Sequence, residues 1–547
     1  MRRTSLFALS ILVAFSLAAG GCSGSRRGGV RGGRGTDGGV RGDGGGRPCV
    51  PGDSDGNGIA DSLEGAGVGN PDDDGDGIPD SAEAGTVGEC SPRDSDGDFQ
   101  PDFQDVDSDN DGVLDGDEIT GGTDPTLVDT DGDGFTDLVE RTAGTSPTDP
   151  TSTVPATDYF VVLPYNGERA MRPLRFGTNI SKADVYFLID TTGSMQGAID
   201  DVNSSLMSIT TAVAGLVRDA QFGVGHFDDF PAGGYGTVEG FFASRADKPY
   251  IHLVDITDDL GAVNRALSLT VNDGSDTPES NTAGVYLTAS GAGMTYSHDT
   301  LGTETIPPKS CPSIPDEPGV RVGYPCFRPG ALPIVVLVSD APWHNGVDPS
   351  NDYAGITGPV SFAMAADAMN AIGARFIGAN VGYAESGPDM EEMARRTGSV
   401  RSDGSPLVFT GAASSTADQI INGITSLVGG TPQDVSTRTE NVLGNPDGFD
   451  ATQFIKNIVP FEGYGPAGES GPIPGVTYAS KDGTTFYEVI PGTQVVFTID
   501  FWNDVRPTPV RTEIHQAKII VVGNGVADLD FRNVYIVVPP TGGVILL

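Results

Sequence analysis

One twelve-residue register, written five times between Asp53 and Glu140, constrains this chain more than any other feature. In the copy DTDGDGFTDLVE, oxygen-bearing side chains fall at positions 1, 3, 5, 9 and 12: Asp129, Asp131, Asp133, Asp137 and Glu140. Gly134 holds position 6 and Phe135 position 7. The same register carries Asp53, Asp55, Asn57, Asp61 and Glu64, then Asp72, Asp74, Asp76, Asp80 and Glu83. It returns at Asp107, Asp109, Asp111, Asp115 and Glu118. A further copy, Asp94, Asp96, Asp98, Asp102 and Asp105, puts Phe99 in place of the glycine and Asp105 in place of the glutamate. Two carboxylates about 5 Å apart repel by roughly 3 kcal/mol at an effective dielectric of about 20. Each copy crowds four or five together, and from Asp53 to Asp149 the only bases are Arg93 and Arg141. Hard cations resolve that repulsion. Ca²⁺ takes about six to eight oxygens, and this is the spacing of a calcium loop, with glycine for the bend and position 7 offering its carbonyl. A disordered acidic tract would not keep glycine and apolar residues in phase.

The flanks EGAGVGNP and EAGTVGEC are too rich in glycine for the paired helices of an EF-hand. The repeats instead resemble thrombospondin type 3 repeats. That resemblance implies a chain wound around several calcium ions with little core of its own.

The rest of the chain reads as a string of different segments. Residues 1–21 have the form of an export signal: Arg2 and Arg3, then the apolar run Leu6 to Leu17, then small residues. These precede Cys22 and resemble a bacterial lipobox, which implies lipidation at Cys22; simple secretion is the alternative. Five cysteines are odd for an oxidising compartment. A lipidated Cys22 leaves four to pair, and of the three connectivities the most local joins Cys49 to Cys90 and Cys311 to Cys326. Residues 22–48 are Gly/Arg-rich, without the apolar surface to build a core, and read as a disordered tether. The repeats occupy 49–150, and linker strands that could join a later sheet fill 151–182. From 183 to 429, apolar runs such as DVYFLID and PIVVLVSD alternate with helix-like stretches. That pattern predicts a doubly wound α/β domain with a parallel sheet covered on both faces. From 430 to 547, strands such as TQVVFTIDF and AKIIVVG follow one another without helices, predicting an antiparallel β-sandwich.

Within the α/β region, VYFLIDTTGSM is an apolar strand that ends in Asp190, with Thr192 and Ser194 following. It resembles the D-x-[ST]-x-S motif of von Willebrand factor type A domains, the family of integrin I domains. The resemblance implies a Rossmann-like fold and a metal-ion-dependent adhesion site, where a partner carboxylate joins a bound Mg²⁺, Mn²⁺ or Ca²⁺. The family's other two loops have candidates. Asp340 closes the strand PIVVLVSD, and Asp276, Thr277 and Glu279 form a middle loop like that of integrin β subunits, where Thr277 or Glu279 could be the ligand. Asp228 and Asp229 follow the second strand, and Trp343 and His344 follow Asp340. The last pair could flank the metal face and read the ligand; the bland readings are a packed aromatic and a loop histidine.

No catalytic constellation is present. The five histidines are scattered, and there is no H-E-x-x-H, G-x-S-x-G or P-loop lysine. A formal net charge of -43 argues against nucleic acid, whose phosphates would be repelled. The expectation is a binding protein at the cell envelope or outer surface, or secreted. Its partner would be a protein or other carboxylate-bearing ligand, and its only contact with membrane a lipid anchor. A calcium-stiffened structural subunit of envelope or matrix is the alternative.

Overall fold

A computed structural model describes residues 50–64, 70–85, 88, 90–232, 234–237, 246–272, 276–299, 302–315, 317, 319–382, 386–465, 478–540 and 545. The expected signal segment 1–21, the tether 22–48 with Cys22, and Cys49 of the expected Cys49–Cys90 pair lie outside these residues. The chain divides into two compact units, Met1–Asp105 and Val106–Leu547. The acidic segment expected as one block at 49–150 is therefore split, three copies in the first unit and two in the second.

In the first unit the copies surround a small cluster of Ile59, Ala84 and Phe103, with Leu63 against it. One short helix, α1 (Asp80–Glu83), closes the second loop. The tight bend at position 6 is visible in the backbone: Gly58 has φ 95° and Gly77 98°, and in the second unit Gly112 has 98° and Gly134 102°. Phe99 holds the same position at φ 82°, where its Cβ is strained. The residue is 74% exposed, so no buried contact offsets the strain.

The second unit opens with the last two copies, each closing into a two-turn helix, α2 (Asp115–Gly121) and α3 (Asp137–Ala143). Strands β1 (Asp158–Val162), β2 (Ala170–Gly177) and β3 (Lys182–Asp190) follow. Then come α4 (Gln196–Ala214), β4 (Asp219–Phe227), β5 (Ile251–Thr257), α5 (Leu260–Leu267) and α6 (Asn281–Ser290). A hairpin, β6 (Met294–His298) and β7 (Gly302–Ile306), leads to β8 (Leu332–Ser339) and the short β9 (Ile356–Thr357). Next are α7 (Phe362–Ala371), β10 (Arg375–Asn380), α8 (Gly387–Arg396), β11 (Val408–Thr410) and α9 (Thr416–Gly430). The last strands are β12 (Gln433–Asn441), β13 (Ile455–Tyr464), β14 (Ser480–Lys481) and β15 (Phe486–Val489). They end with β16 (Gln494–Phe501), β17 (Glu513–Gly523) and β18 (Ala527–Val538).

The α/β sheet has the order β11-β10-β8-β3-β4-β5. Its strands are parallel except the edge strand β5, which runs antiparallel to β4 and departs from the all-parallel expectation. An edge strand has one neighbour to satisfy, so its direction is the least constrained. Alternation along β3 feeds two cores. Val185, Phe187 and Ile189 join side chains of α4, α5 and α9, while Tyr186 and Leu188 join those of α6, α7 and α8. At the starting end of β3, Asp184 and Arg328 form a buried pair at 2.7 Å, and Arg328 also reaches Asp219 at 2.8 Å.

Besides the small sheet β7-β6-β9, two more sheets belong to the unit, β1-β18-β17-β12-β15-β14 and β13-β16-β2; these last two pack together. They meet through rings: Phe486 with Phe497, and Tyr159 with Phe501. The strands before the α/β region thus pair with strands after it, β1 with β18 and β2 with β16. The β1–β18 pairing is parallel, unlike the antiparallel expectation. A parallel partner needs a long crossover connection, and everything between Val162 and Ala527 supplies it. One continuous core runs from beneath α4 and α9 into these sheets, including Val435, Phe486 and Phe497. Val113 and Leu138 of the last two acidic copies are buried with Val537 and Ile545. That packing is the reason these two copies belong to the second unit.

Phe99→Gly should stabilise the first unit. The left-handed backbone costs a β-carbon-bearing residue roughly 1–2 kcal/mol, and glycine's added chain entropy returns about 0.5–1. Scanning calorimetry of the full chain is expected to show the transition of Met1–Asp105 moving up in the variant, with that of Val106–Leu547 unchanged.

Candidate functional site

Parallel neighbours β3 and β8 end side by side, with Ile189 opposite Val338. Their loops therefore emerge together at the carboxyl edge of the sheet, where open α/β sheets bind ligands. Asp190 is fully buried there. Its Oδ1 accepts from the Thr192 amide at 2.9 Å and the Thr192 hydroxyl at 2.7 Å. Its Oδ2 accepts from the Ser339 hydroxyl at 2.7 Å. Burial is the main force that raises Asp190 to about 7, and the nearby charge of Asp340 adds to it.

The third loop is tied to the second by backbone. The Glu279 amide donates to the Pro342 carbonyl at 3.0 Å, and the His344 amide donates to the Glu279 carbonyl at 2.9 Å. The result is one cavity of about 240 Å³ lined by Thr192, Gly193, Ser194, Asp276, Thr277, Glu279, Asp340 and Ala341. Six of the seven residues expected from the sequence line it, and Asp190 lies behind. Thr277 is exposed. Glu279 is buried, and its Oε2 meets no hydrogen-bond donor among the described residues. Burial, then Asp190, Asp229 and Asp276, hold Glu279 well above the usual carboxylate range. Two hydroxyls with several carboxylates suit a hard divalent cation. Gly382 lets the loop after β10 pass against Asp340, since a β-carbon there would collide with that of Asp340.

The neighbouring candidates separate. Trp343 is fully buried and packs on Phe362 and Phe376, so it is a core residue. His344 faces the site, its Nε2 lying 3.4 Å from Asp229 Oδ2 and 3.2 Å from Asp276 Oδ2. Burial pulls against its charge, but those two carboxylates outweigh it and hold His344 at about 9. The sequence reading did not include Tyr353, whose hydroxyl donates to Asp229 Oδ1 and whose ring stacks on His344 at 4.0 Å. No signal in the sequence links residues so far apart. Cys311 and Cys326 are joined, with Cα atoms 5.5 Å apart. Arg328, two residues on, sits at the starting ends of β3 and β4, so this stapled loop lies at the sheet edge opposite the cavity.

In the acidic copies, the carboxylates at positions 1, 3 and 5 converge. Those of Asp72, Asp74 and Asp76 each have an oxygen within 4.8 Å of the others, as do Asp94, Asp96 and Asp98, and Asp107, Asp109 and Asp111. The position 5 side chains of Asn57, Asp76, Asp98, Asp111 and Asp133 each accept from the position 7 amide at 2.7–2.9 Å. Position 9 has a task the spacing alone does not reveal. Asp61, Asp102, Asp115 and Asp137 each use both oxygens to hold the amide and hydroxyl of position 2, Ser54, Ser95, Ser108 and Thr130. Asp80 accepts from the Asp73 amide alone. These side chains close the loop. Position 12 turns inward. Glu118 is fully buried with no donor on either oxygen among the described residues. Burial, then Asp109 and Asp111, raise it to about 9. Burial and Asp111 raise Asp109 to about 8. Burial raises Glu140 to about 7, with Asp131 and Asp133 adding to it. Neighbouring charges and burial act together here, the mark of a site lacking positive charge.

Family comparisons agree with these two centres. Residues 107–127 and 129–150 match the model described as bacterial TSP3 repeat. Residues 171–242, spanning β3, α4 and β4, match the model described as integrin beta-like protein A-E, vWA-like. The chain therefore carries thrombospondin type 3 repeats of the bacterial kind and a von Willebrand factor type A-like segment. No curated protein matches the sequence. Among solved structures, a von Willebrand factor type A protein from Catenulispora acidiphila aligns at 14% identity and TM-score 0.27, covering 70% of this chain and 72% of that one. The pilus adhesin SpaC from Lactobacillus rhamnosus GG, in its open conformation, aligns at 13% identity and TM-score 0.28, covering 68% of this chain and 45% of that one. Proximal thread matrix protein 1 of the mussel byssus aligns at 14% identity and TM-score 0.26, covering 48% and 50%.

Gly382→Ala tests the close approach to Asp340. The substitution is expected to displace Asp340 and weaken Mn²⁺ uptake at the cavity, read by electron paramagnetic resonance. The far-ultraviolet circular dichroism should be unchanged.

Proposed function

We propose that this chain is a metal-dependent adhesion protein of the cell surface, held at the envelope through a lipid on Cys22 and exported by residues 1–21. The acidic loops carry Ca²⁺ and make a stiff spacer. The cavity at the end of β3 carries Mg²⁺, Mn²⁺ or Ca²⁺, on which a partner protein's carboxylate replaces water. The sheets β1-β18-β17-β12-β15-β14 and β13-β16-β2 act as a sandwich that supports the α/β sheet. The reading includes no catalytic step.

The observation that carries this reading is convergence. Asp190, Thr192, Ser194, Asp276, Thr277, Glu279 and Asp340 come from three separate loops, and six of them line one cavity with Asp190 behind. Neutral hydroxyls leave a bound cation electrophilic, so an open position favours an anionic ligand. The acidic loops support the calcium part, because both oxygens of the buried Glu118 carboxylate meet no donor among the described residues.

Two experiments test this. In the first, the full chain is titrated with Mg²⁺ and Mn²⁺ by calorimetry after the loops are filled with Ca²⁺. One further site is expected, lost in Asp190→Ala and in Asp340→Ala. A surface-extract pull-down should then capture a partner only with the cation present, and capture that survives chelator and both substitutions would refute the metal bridge. In the second, Glu118→Gln should reverse its effect with calcium. With chelator present it removes a buried carboxyl that folding must protonate at neutral pH, since burial, Asp109 and Asp111 hold Glu118 at about 9, so the melting temperature rises. It removes a ligand when calcium is present, so the calcium-induced rise shrinks.

A further inference from the structure

At the end of the α/β sheet opposite the metal cavity, the starts of β3 and β4 meet the sheet that holds β17 and β18. A cavity of about 210 Å³ lies in that joint. Lys182 opens β3, Arg218 stands just before β4, and Lys518 comes from β17; all three line it. Two hydrogen bonds hold the joint. The Ser181 hydroxyl donates to the Asp528 carbonyl at 2.8 Å, and the Asp528 amide donates to the Gly330 carbonyl at 2.8 Å. Three carboxylates also line the cavity, and each is already answered. Asp219 pairs with Arg328 at 2.8 Å, and Asp528 takes both ends of the Arg438 guanidinium. Asp530 accepts from the Gly177 and Phe531 amides, each at 2.8 Å, and lies 3.2 Å from Arg532. The cations are not answered in this way. The Lys182 ammonium donates to the Pro329 carbonyl at 2.8 Å, which uses one of its three hydrogens. Lys518 lies over the Phe531 ring at 4.1 Å. Arg218 is exposed. Among the described residues, none of the three lies within ion-pair distance of a carboxylate.

We propose that Lys182, Arg218 and Lys518 form a binding site for a tetrahedral oxyanion, phosphate or sulfate, free or as the ester of a small polyol. Three cations from separate elements suit a group with three free oxygens and up to two charges better than a carboxylate, which offers two oxygens and one charge. A guanidinium presents paired N–H groups that match such an oxyanion, and each ammonium adds a point charge. The electrostatics are the inverse of the acidic loops. Burial and the charge of Arg328 hold Lys182 below its ordinary value, against the pull of Asp184 and Asp219, and an anion in the cavity favours its charged form. The rest of the lining is apolar, with Ile520 and Leu529 buried and Phe531 half-buried. That surface suits the carbon body of an ester, and the carboxylates of Asp528 and Asp530 keep lone pairs for its hydroxyls. Lys182 and Arg218 belong to the α/β sheet and Lys518 to the other, so the bound anion also ties the two sheets together.

The test uses the full chain with Ca²⁺ and Mg²⁺ present. Inorganic phosphate, sulfate and glycerol phosphate are titrated into it by calorimetry at constant chloride. One equivalent of phosphate or sulfate is expected to bind and to raise the melting temperature of Val106–Leu547. Arg218→Gln and Lys518→Gln should each weaken that binding about tenfold or more. Arg395→Gln, which removes the same charge from α8, should bind as the wild type does. Glycerol phosphate held more tightly than inorganic phosphate assigns the site to an ester, and the reverse order assigns it to the free anion. A crystal soaked in selenate should show its anomalous peak between the three side chains. The proposal is overturned if the wild-type chain takes up none of the three anions, if both variants bind them unchanged, or if selenate appears at the metal cavity alone.

Discussion

Buried carboxylate oxygen with nothing to answer it is the constraint on which both units depend. Desolvation and like-charge repulsion act in the same direction at such an atom, and the fold repeats the arrangement many times. Among the described residues, Glu118, Asp109 and Glu140 face it in the loops, and Glu279 at the sheet edge. The chain has 75 acidic residues against 32 basic ones, so cations from outside, or protons, must balance what the chain does not. Protein cations do this work elsewhere: Arg328 neutralises Asp184 at the start of β3, and Arg93 answers Asp102 in the first unit.

The loops and the sheet edge meet the constraint differently. A loop is local. Asp at positions 1, 3 and 5 brings oxygen on a short arm, a left-handed residue at position 6 turns the chain, and Asp at position 9 straps the loop shut through Ser or Thr. Twelve residues are enough, so the same solution can be copied. Phe99 shows what a departure does, since the backbone keeps its left-handed turn with the wrong residue in it. The sheet edge is assembled from residues about 150 apart in the chain. Its accuracy comes from parallel strands that end in register and from the backbone pairing of Glu279 with Trp343.

Much of this could be read before any coordinates. Strict alternation of cores along β3 follows from an apolar run too continuous for a one-faced strand. Asp190, Thr192 and Ser194 are adjacent in sequence, so their grouping needed no tertiary information, and Asp340 announced itself by ending an apolar strand. The roles of Trp343 and His344 were not separable, because adjacent residues beyond a strand point in different directions: the indole turned into the core and the imidazole toward Asp229. The split of the acidic copies was hidden too. It depends on Val113 and Leu138 finding Val537 and Ile545, more than 390 residues further on.

The sequence by itself determined the chemistry of each local piece, because hydroxyls, carboxylates and glycines at fixed short spacings dictate what a loop can hold. It also determined the α/β class, because strand and helix leave different periodicities. Only the tertiary structure decided which loops share a cavity, which end of the sheet the Cys311–Cys326 loop occupies, and that β1 runs parallel to β18. Those outcomes rest on contacts between distant residues, and pattern along the chain carries no record of a distance through space.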